Sequence, residues 1–379
     1  MIEMCGQEIR SAHSDASMAA EERLDRFRRF WAIEATDRPT VGFQVGPSIL
    51  ERFLRADGLR GATSQPISPD LVAPEAILPH YEQQWTLMAG VEQDSFWSAQ
   101  PLCGFPWLEL MTGCAICGSP LGFVSAGVVA IRTPAECVLD TDGAWAQRLL
   151  GITTRLAQAS GGRFPISGPT LSGIADTLGA RVGAPALARL LRQDIEFVRE
   201  CAHHLTGGIL RIVQQHRDAT PDFLGGSCLG SASVWAPGSS WMTRDRLATF
   251  LGPDLYVDAF LASHRRIWEA TNYSVFQLDP GALHILDALL AEGSLRAIEV
   301  VQHPNGPSIR DMLPALQAIQ THRKGLIIQG MMNKDDIDDA LQGLSHAGLH
   351  LTLFSATAEE ARFWMRYILE QCRRAREER

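Results

Sequence analysis

The sequence predicts an α/β protein, a (β/α)8 TIM barrel with a long N-terminal extension and an insertion covering one end. Three observations lead there. From Ser274 to Arg376 the chain four times repeats an apolar run, a turn and an amphipathic stretch. Strands alternating with helices at that pace pair in parallel through right-handed crossovers, because no hairpin can join parallel strands. No G-x-G-x-x-G follows any of the apolar runs, so a dinucleotide-binding open sheet lacks its main signal and no nucleotide cofactor is expected. At 379 residues, 46% of them hydrophobic, the chain has the length for one large barrel with its own core.

Residues 1–22 are polar and rich in Ala and Ser, and read as a flexible leader to a single domain over 23–379. A helix takes shape from Glu21, with Leu24, Phe27, Phe30 and Trp31 on one face. Asp37-Arg38-Pro39 ends it, and residues 40–45 are the first strand. Residues 46–160 lose the rhythm: they hold many Pro and Gly, a Trp/Phe-rich segment at 96–107 and an expected hairpin from Gly122 to Ile131. This stretch reads as the insertion. Residues 164–168 are the next strand, and Pro185 to His216 is a long amphipathic helical region. The small residues of 229–235 suit a strand whose exit leaves room for something bulky.

Four regular units follow. Strand 274–278 leads through Asp279-Pro280-Gly281 into a helix over 282–290; strand 296–301 leads through His303 to Ser308 into a helix over 309–321. Strand 325–329 precedes a helix over 335–347, and strand 350–354 precedes one from Thr357 towards Arg376. These are seven strand candidates; a closed barrel needs eight. The eighth is expected within 46–160.

Charge and cysteine usage narrow the function. Net charge is −9 and the one basic block is Arg373-Arg374-Ala375-Arg376, so nucleic acid is not an expected partner; the block reads as a solvated last turn facing the helix dipole. No apolar run reaches the ~18 residues of a membrane span, and the first residues lack a secretory pattern. A cytoplasmic protein without a membrane partner is expected. Eight cysteines in a chain of this size do not make a disulfide framework. Cys114 and Cys117 form the only CxxC, with Cys103 the one other candidate nearby; a zinc site needs four ligands, so these read as buried thiols and no metal is expected. The G-x-x-x-x-G-K-[ST], H-E-x-x-H and G-x-S-x-G patterns are absent.

Four segments carry a family likeness: Arg26 to Pro39 (RFRRFWAIEATDRP), Phe105 to Cys114 (FPWLELMTGC), Val234 to Trp241 (VWAPGSSW) and Leu278 to Asp287 (LDPGALHILD). In this order, over about residues 22–370, the chain resembles the uroporphyrinogen decarboxylase superfamily, nearest to its methyltransferase-like bacterial branch. The resemblance implies a TIM barrel with the eighth strand present. It also implies one of two chemistries, corrinoid-linked methyl transfer or cofactor-free decarboxylation. The chain departs from the branch where chemistry is expected. Where the branch reads Tyr-His-Leu-Asp-Gly-Pro-Gly, this chain has Phe276-Gln277-Leu278-Asp279-Pro280-Gly281. With one residue deleted, Asp279 keeps the family's carboxylate and Gln277 replaces its histidine; without the deletion neither is kept. Arg244-Asp245-Arg246 stands for Gln-Cys-Asp, and Glu299 and His303 replace a Gln and an apolar residue.

The exchanged set is poor in soft metal ligands. Methyl transfer to a thiol on this fold uses zinc held by His-x-Cys, and no His-x-Cys occurs in the chain. Methyl transfer from an ether or amine to a corrinoid needs instead a carboxylic acid of raised pKa, near an arginine or histidine, to neutralise the leaving group. Decarboxylation needs a stabilised cationic intermediate, for which Asp279 or Asp245 is placed, and a grip on an anionic substrate, for which Arg244 and Arg246 serve. The candidate catalytic residues are therefore Asp279, Glu299, His303 and Asp245. Gln277, Arg244, Trp107, Glu109, Trp235 and Trp241 are the candidates for substrate binding. Glu299 and His303 are the sharpest pair, since a strand-end carboxylate and an imidazole on the next loop can share a proton. Structural roles compete: Asp279 as a helix cap, Arg244 and Asp245 as an exposed ion pair, the tryptophans as packing.

The leading reading is methyl transfer or demethylation of a small molecule with a corrinoid protein or free cobalamin. The alternatives are a cofactor-free decarboxylase acting on an anionic substrate and a non-catalytic binding protein on the same barrel. A homodimer is compatible with each.

Overall fold

The computed structural model describes residues 19–56, 65–119, 122–125 and 127–378. The expected leader falls outside the described residues as far as residue 18, and residues 19–32 are helical. Ten strands follow: β1 (Thr40–Val45), β2 (Ile116–Ser119), β3 (Gly122–Ser125), β4 (Ser227–Leu229), β5 (Val234–Ala236), β6 (Ser240–Arg244), β7 (Tyr273–Leu278), β8 (Leu295–Gln302), β9 (Gly325–Gly330) and β10 (Leu349–Ser355). Six of them form one parallel sheet in the order β1-β10-β9-β8-β7-β6. β9 is buried along its whole length, as expected of a parallel strand covered on both faces.

The crossover helices begin where the sequence supplies caps. Ser308 and Asp311 form a capping box ahead of Ile309–Thr321, Asn333 and Asp336 another ahead of Lys334–Gly343, and Thr357 accepts from the Glu360 amide at the start of Ala358–Glu377. The unit after β7 is less regular. Pro280–Ile285 is a 3-10 turn, and α-helix is confined to Leu286–Leu290.

One face of the sheet positions the site. Arg244 pairs in register with Gln277, and Gln277 with Glu299, so these side chains share a face. Two residues earlier on the same strands stand Met242, Val275 and Ala297, in one apolar cluster with Ile327 and with Leu24, Phe27, Phe30 and Trp31 of the first helix. Trp31 Nε1 donates to the Trp235 carbonyl at 2.8 Å. Gln44 on one edge strand and Arg244 on the other line the same cavity, so the sheet is strongly curled.

Between the two edges run two stretches outside the sheet. Ala99 makes a parallel bridge to Ile166, with Ala99 N to Pro165 O at 2.9 Å and Ser167 N to Ala99 O at 3.0 Å. Asp94 N donates to Val41 O of β1 at 2.8 Å, and the Asp94 carboxylate is buried in an ion pair with Arg38 at 2.5 Å. On the other side Trp241 of β6 lies flush on Gly168, where a Cβ would come within 2.4 Å of the indole.

Three expectations are corrected. Residues 164–168 form no strand of the sheet, only the isolated Ile166 bridge to Ala99. Residues 229–235 are no strand of the sheet: β4 and β5 pair antiparallel as a hairpin, and the sheet strand is β6. The hairpin tip packs on the polar face, with Gln44 Nε2 donating to Ser231 O at 2.7 Å and Ser231 Oγ meeting Gln329 Oε1 at 3.1 Å. Its small residues serve that close approach. The hairpin expected from Gly122 to Ile131 pairs earlier, β2 with β3, so Gly122 opens its second strand rather than its first. No helix among the described residues is long and apolar enough to cross a membrane.

Candidate active site

The C-terminal ends of the parallel strands surround a cavity of about 500 Å3, whose walls include Arg244, Gln277, Asp279, His303, Gln329 and Phe354. Each polar group arrives by the same route. Strand alternation turns every second residue to this face, and beyond the apolar layer those positions are polar.

Arg244 ends β6 partly buried, with Nε donating to Leu171 O at 3.2 Å. Among the described residues it makes no ion pair with a carboxylate. Burial, and then the like charge of Arg246, pull its pKa down; Cys103, Asp176 and Glu109 act in the opposite sense. The guanidinium is a cation without a full counter-charge.

Gln277 Nε2 donates to Glu299 Oε1 at 2.5 Å. Glu299 is fully buried, and among the described residues its Oε2 has no hydrogen-bond partner. Burial pushes its pKa up to about 7, against the Gln277 bond and the Arg244 charge. Near neutral pH this carboxyl is therefore divided between its protonated and ionised forms, where an exposed glutamate is ionised.

Asp279 uses both oxygens. Oδ1 accepts from Gly281 N at 2.9 Å, capping the following turn, and Oδ2 lies 3.2 Å from His303 Nε2. The side chains are 37% and 50% exposed, which leaves the pair open to solvent at the cavity mouth. Gly281 packs closely on the next turn, where a Cβ would come within 2.6 Å of Thr249 Cγ2.

The expected Glu299–His303 pair is not formed. Glu299 is level with Gln277 in the sheet, whereas His303 lies past the end of β8, level with the loop that carries Asp279. The partners are thus Glu299 with Gln277 and His303 with Asp279.

Asp245 is neither exposed nor paired with Arg244. It is buried and accepts from Asp176 N at 2.9 Å, Ala175 N at 3.1 Å and Tyr256 Oη at 3.3 Å, with His264 Nε2 at 3.1 Å. With its lone pairs so engaged, Asp245 ties the end of β6 to the helix Ile174–Val182. Asp176 beside it has its pKa raised by burial first and by Asp245 second. Glu109, on the short helix Trp107–Met111, is hydrogen-bonded by Ser172 and has its pKa raised by burial; it lies behind Arg244 and off the cavity wall.

The three candidate tryptophans are core residues. Trp107 is fully buried against Phe105, ring centroids 4.6 Å apart. Trp235 donates to Phe223 O at 2.9 Å. Trp241 sits on the face of β6 opposite to Arg244, packed on Gly168 and His216.

Seven wall residues were not among the catalytic or substrate-binding candidates read from the sequence: Gln44, Cys103, Thr170, Ser231, Val301, Gln329 and Phe354. For Gln329 and Gln44 a signal existed, a lone amide near the C-terminal end of an otherwise apolar strand. Among the described residues no three His, Cys, Asp or Glu side chains are grouped to hold a metal ion. Cys114 is buried beside Thr112 at 3.3 Å and Cys117 lies in β2.

No family model matches the chain, and no curated protein matches it in sequence. Among solved structures it is similar to a methyltransferase from Methanosarcina mazei, with a TM-score of 0.60 at 14% sequence identity, over 91% of this chain and 97% of that one. At that identity the likeness is one of fold, and it extends over nearly the full length of both chains.

Proposed function

We propose that the chain is a methyl-transferring enzyme that acts on a small molecule in the strand-end cavity, with a corrinoid as methyl acceptor. The scaffold in this reading is a closed (β/α)8 barrel of the uroporphyrinogen decarboxylase type. Its eight staves in chain order are β1, residues 94–100, residues 164–168 and β6 to β10. The Ala99–Ile166 bridge and the Asp94–Val41 bond support the two irregular staves, and the fold shared with a methyltransferase supports the chemistry.

The observation that carries the reading is the geometry at one cavity, with the hydrogen-bonded Asp279–His303 pair at its mouth and the buried Glu299 beneath its wall residue Gln277. Taking a methyl group from an ether or amine leaves the bonding pair on the heteroatom, which must gain a proton to depart at neutral pH. His303 Nε2 is hydrogen-bonded to Asp279 Oδ2 at the open mouth of the cavity, so the imidazole is oriented where it can pass a proton between solvent and the leaving group. Glu299, out of solvent, exchanges a proton near neutral pH and fixes the Gln277 amide against the cavity. A corrinoid, when bound, supplies the nucleophile that takes the methyl group. The cavity is of small-molecule size, and a corrinoid exceeds the ~300–1,000 Å3 of such sites. The residues that would hold it are at the rim, where Met331 and Phe354 are 57% and 36% exposed.

The test mixes the protein with reduced cobalamin and a methyl ether, a methylamine or a methyl thioether, and follows the visible spectrum. A protein-dependent spectral change is expected with at least one donor class. A spectrum unchanged by every class overturns the reading.

A further inference from the structure

We infer that the molecule acted on carries a carboxylate and that Arg244 holds it. The inference rests on the methyl-transfer reading of the same cavity. Arg244 and Arg246 both line the cavity, and neither makes an ion pair among the described residues. Arg246 gives only its backbone amide to Asp176 Oδ2, at 3.0 Å. Of the acids nearby, Asp279 is matched by His303 and Gly281, Asp245 by four donors and Asp176 by three backbone amides. Glu299 accepts from Gln277 through one oxygen, and both it and Glu109 lie behind the cavity wall and make no ion pair with Arg244.

A guanidinium at the end of a strand, turned to a cavity and short of a counter-charge, is built to receive a planar oxyanion through two parallel N–H···O bonds. A monoanion suits the site better than a phosphate dianion. One negative charge offsets Arg244, whereas a second would lie near Asp279, Asp176 and Glu109. Thr170 and Cys103 complete this side of the wall.

The layout also sets the length of the molecule. Asp279 is two residues beyond Gln277, the register partner of Arg244. That is one strand across, ~4.8 Å, and two residues along, ~7 Å, or about 8 Å between backbone positions. A carboxylate on Arg244 and a methyl-bearing heteroatom near the Asp279–His303 pair therefore belong at opposite ends of one short molecule, of about the size of a methoxybenzoate.

The experiment measures equilibrium binding by calorimetry, with no methyl acceptor present. The probes are 4-methoxybenzoate, 3-methoxybenzoate, methoxyacetate and N,N-dimethylglycine, the neutral 4-methoxybenzamide, and inorganic phosphate. The proteins are wild type, Arg244→Gln, Arg244→Lys and Arg246→Gln, each checked for folding by near-UV circular dichroism. At least one carboxylate should bind ten-fold or more tighter than the amide does. Arg244→Gln should erase that preference and leave amide binding as it was, Arg244→Lys should retain part of it, and Arg246→Gln should lower it a few-fold. Equal binding of carboxylate and amide, tighter binding of phosphate, or no saturable binding by any of the four carboxylates overturns the inference. Carboxylate preference without methyl transfer upholds this site and defeats the methyl-transfer reading. Methyl transfer from neutral donors without carboxylate preference does the reverse.

Discussion

The two ends of the parallel strands differ sharply over a short distance. At their N-terminal ends Met242, Val275, Ala297 and Ile327 are sealed beneath Phe27, Phe30 and Trp31. One inward position further along, about 7 Å of strand, the same four strands present Arg244, Gln277, Glu299 and Gln329 around or just beneath the cavity wall. The difference is a division along each strand, with burial supplying stability at one end and polar side chains gathered at a cavity at the other. One buried titratable group at each end shows opposite consequences of burial. His350, tilted against Phe27 and edge-on to Phe30, has its pKa lowered by burial to about 4, whereas Glu299 at the cavity end has its own raised to about 7.

Mutations should separate the two ends. Trp31→Ala removes a buried indole and its hydrogen bond from the sealed end, and should cost about 3–5 kcal/mol in urea unfolding while the folded protein binds cavity ligands as wild type does. A variant that loses binding but keeps its stability would erase the distinction.

Glu299→Gln acts at the other end and through pH. The folded state keeps a proton that the unfolded chain releases above about pH 4.5. Wild-type stability attributable to this group therefore falls as pH rises from about 4.5 through about 7 and stays lowered above it, by about 3 kcal/mol. The variant should lack that slope and be the more stable protein at pH 8. His350 contributes the opposite slope: stability is lost as pH falls from 6.5 through about 4. Parallel stability profiles for wild type and Glu299→Gln would mean that the carboxyl is ionised when folded.

The smallest effect on stability and a clear one on turnover belong to His303→Gln. The side chain is half-exposed, so the unfolding free energy should stay within ~0.5 kcal/mol of wild type. Methyl-donor turnover should fall by about 10²-fold, the scale of a general acid. Unaltered turnover would move the proton donor to Glu299.

Much of the sheet was legible because its strands are continuous apolar runs ended by turn residues. Residues 40–45, 274–278, 296–301, 325–329 and 350–354 each match a strand to within one residue at either end. β6 was not legible. Ser240 to Arg244 holds only Trp241 and Met242 as apolar residues, whereas the hairpin before it has the longer apolar spelling. Residues 94–100 escaped because side chains rather than a ladder hold them: Asp94 binds Arg38 and the Val41 amide, and Ser98 binds Ser167 and Ser233. At the site, Arg244, Gln277, Asp279 and His303 come together on the cavity wall, while Trp107, Trp235 and Trp241 go to the core. A tryptophan in a Pro/Gly-rich stretch looks the same in sequence whether it packs inward or lines a cavity.

By itself the sequence determined which residues lie at strand ends and which of them are polar, because alternation and turn chemistry are local properties of the chain. Only the tertiary structure decided who meets whom: Glu299 with Gln277, His303 with Asp279, Asp245 with Tyr256 and His264, and Arg244 with no carboxylate among the described residues. Those partnerships depend on the lateral order and register of strands far apart in the chain and on the curl that brings β1 and β6 to one cavity. Such relations are set by packing across the whole sheet, and no short stretch of sequence contains them.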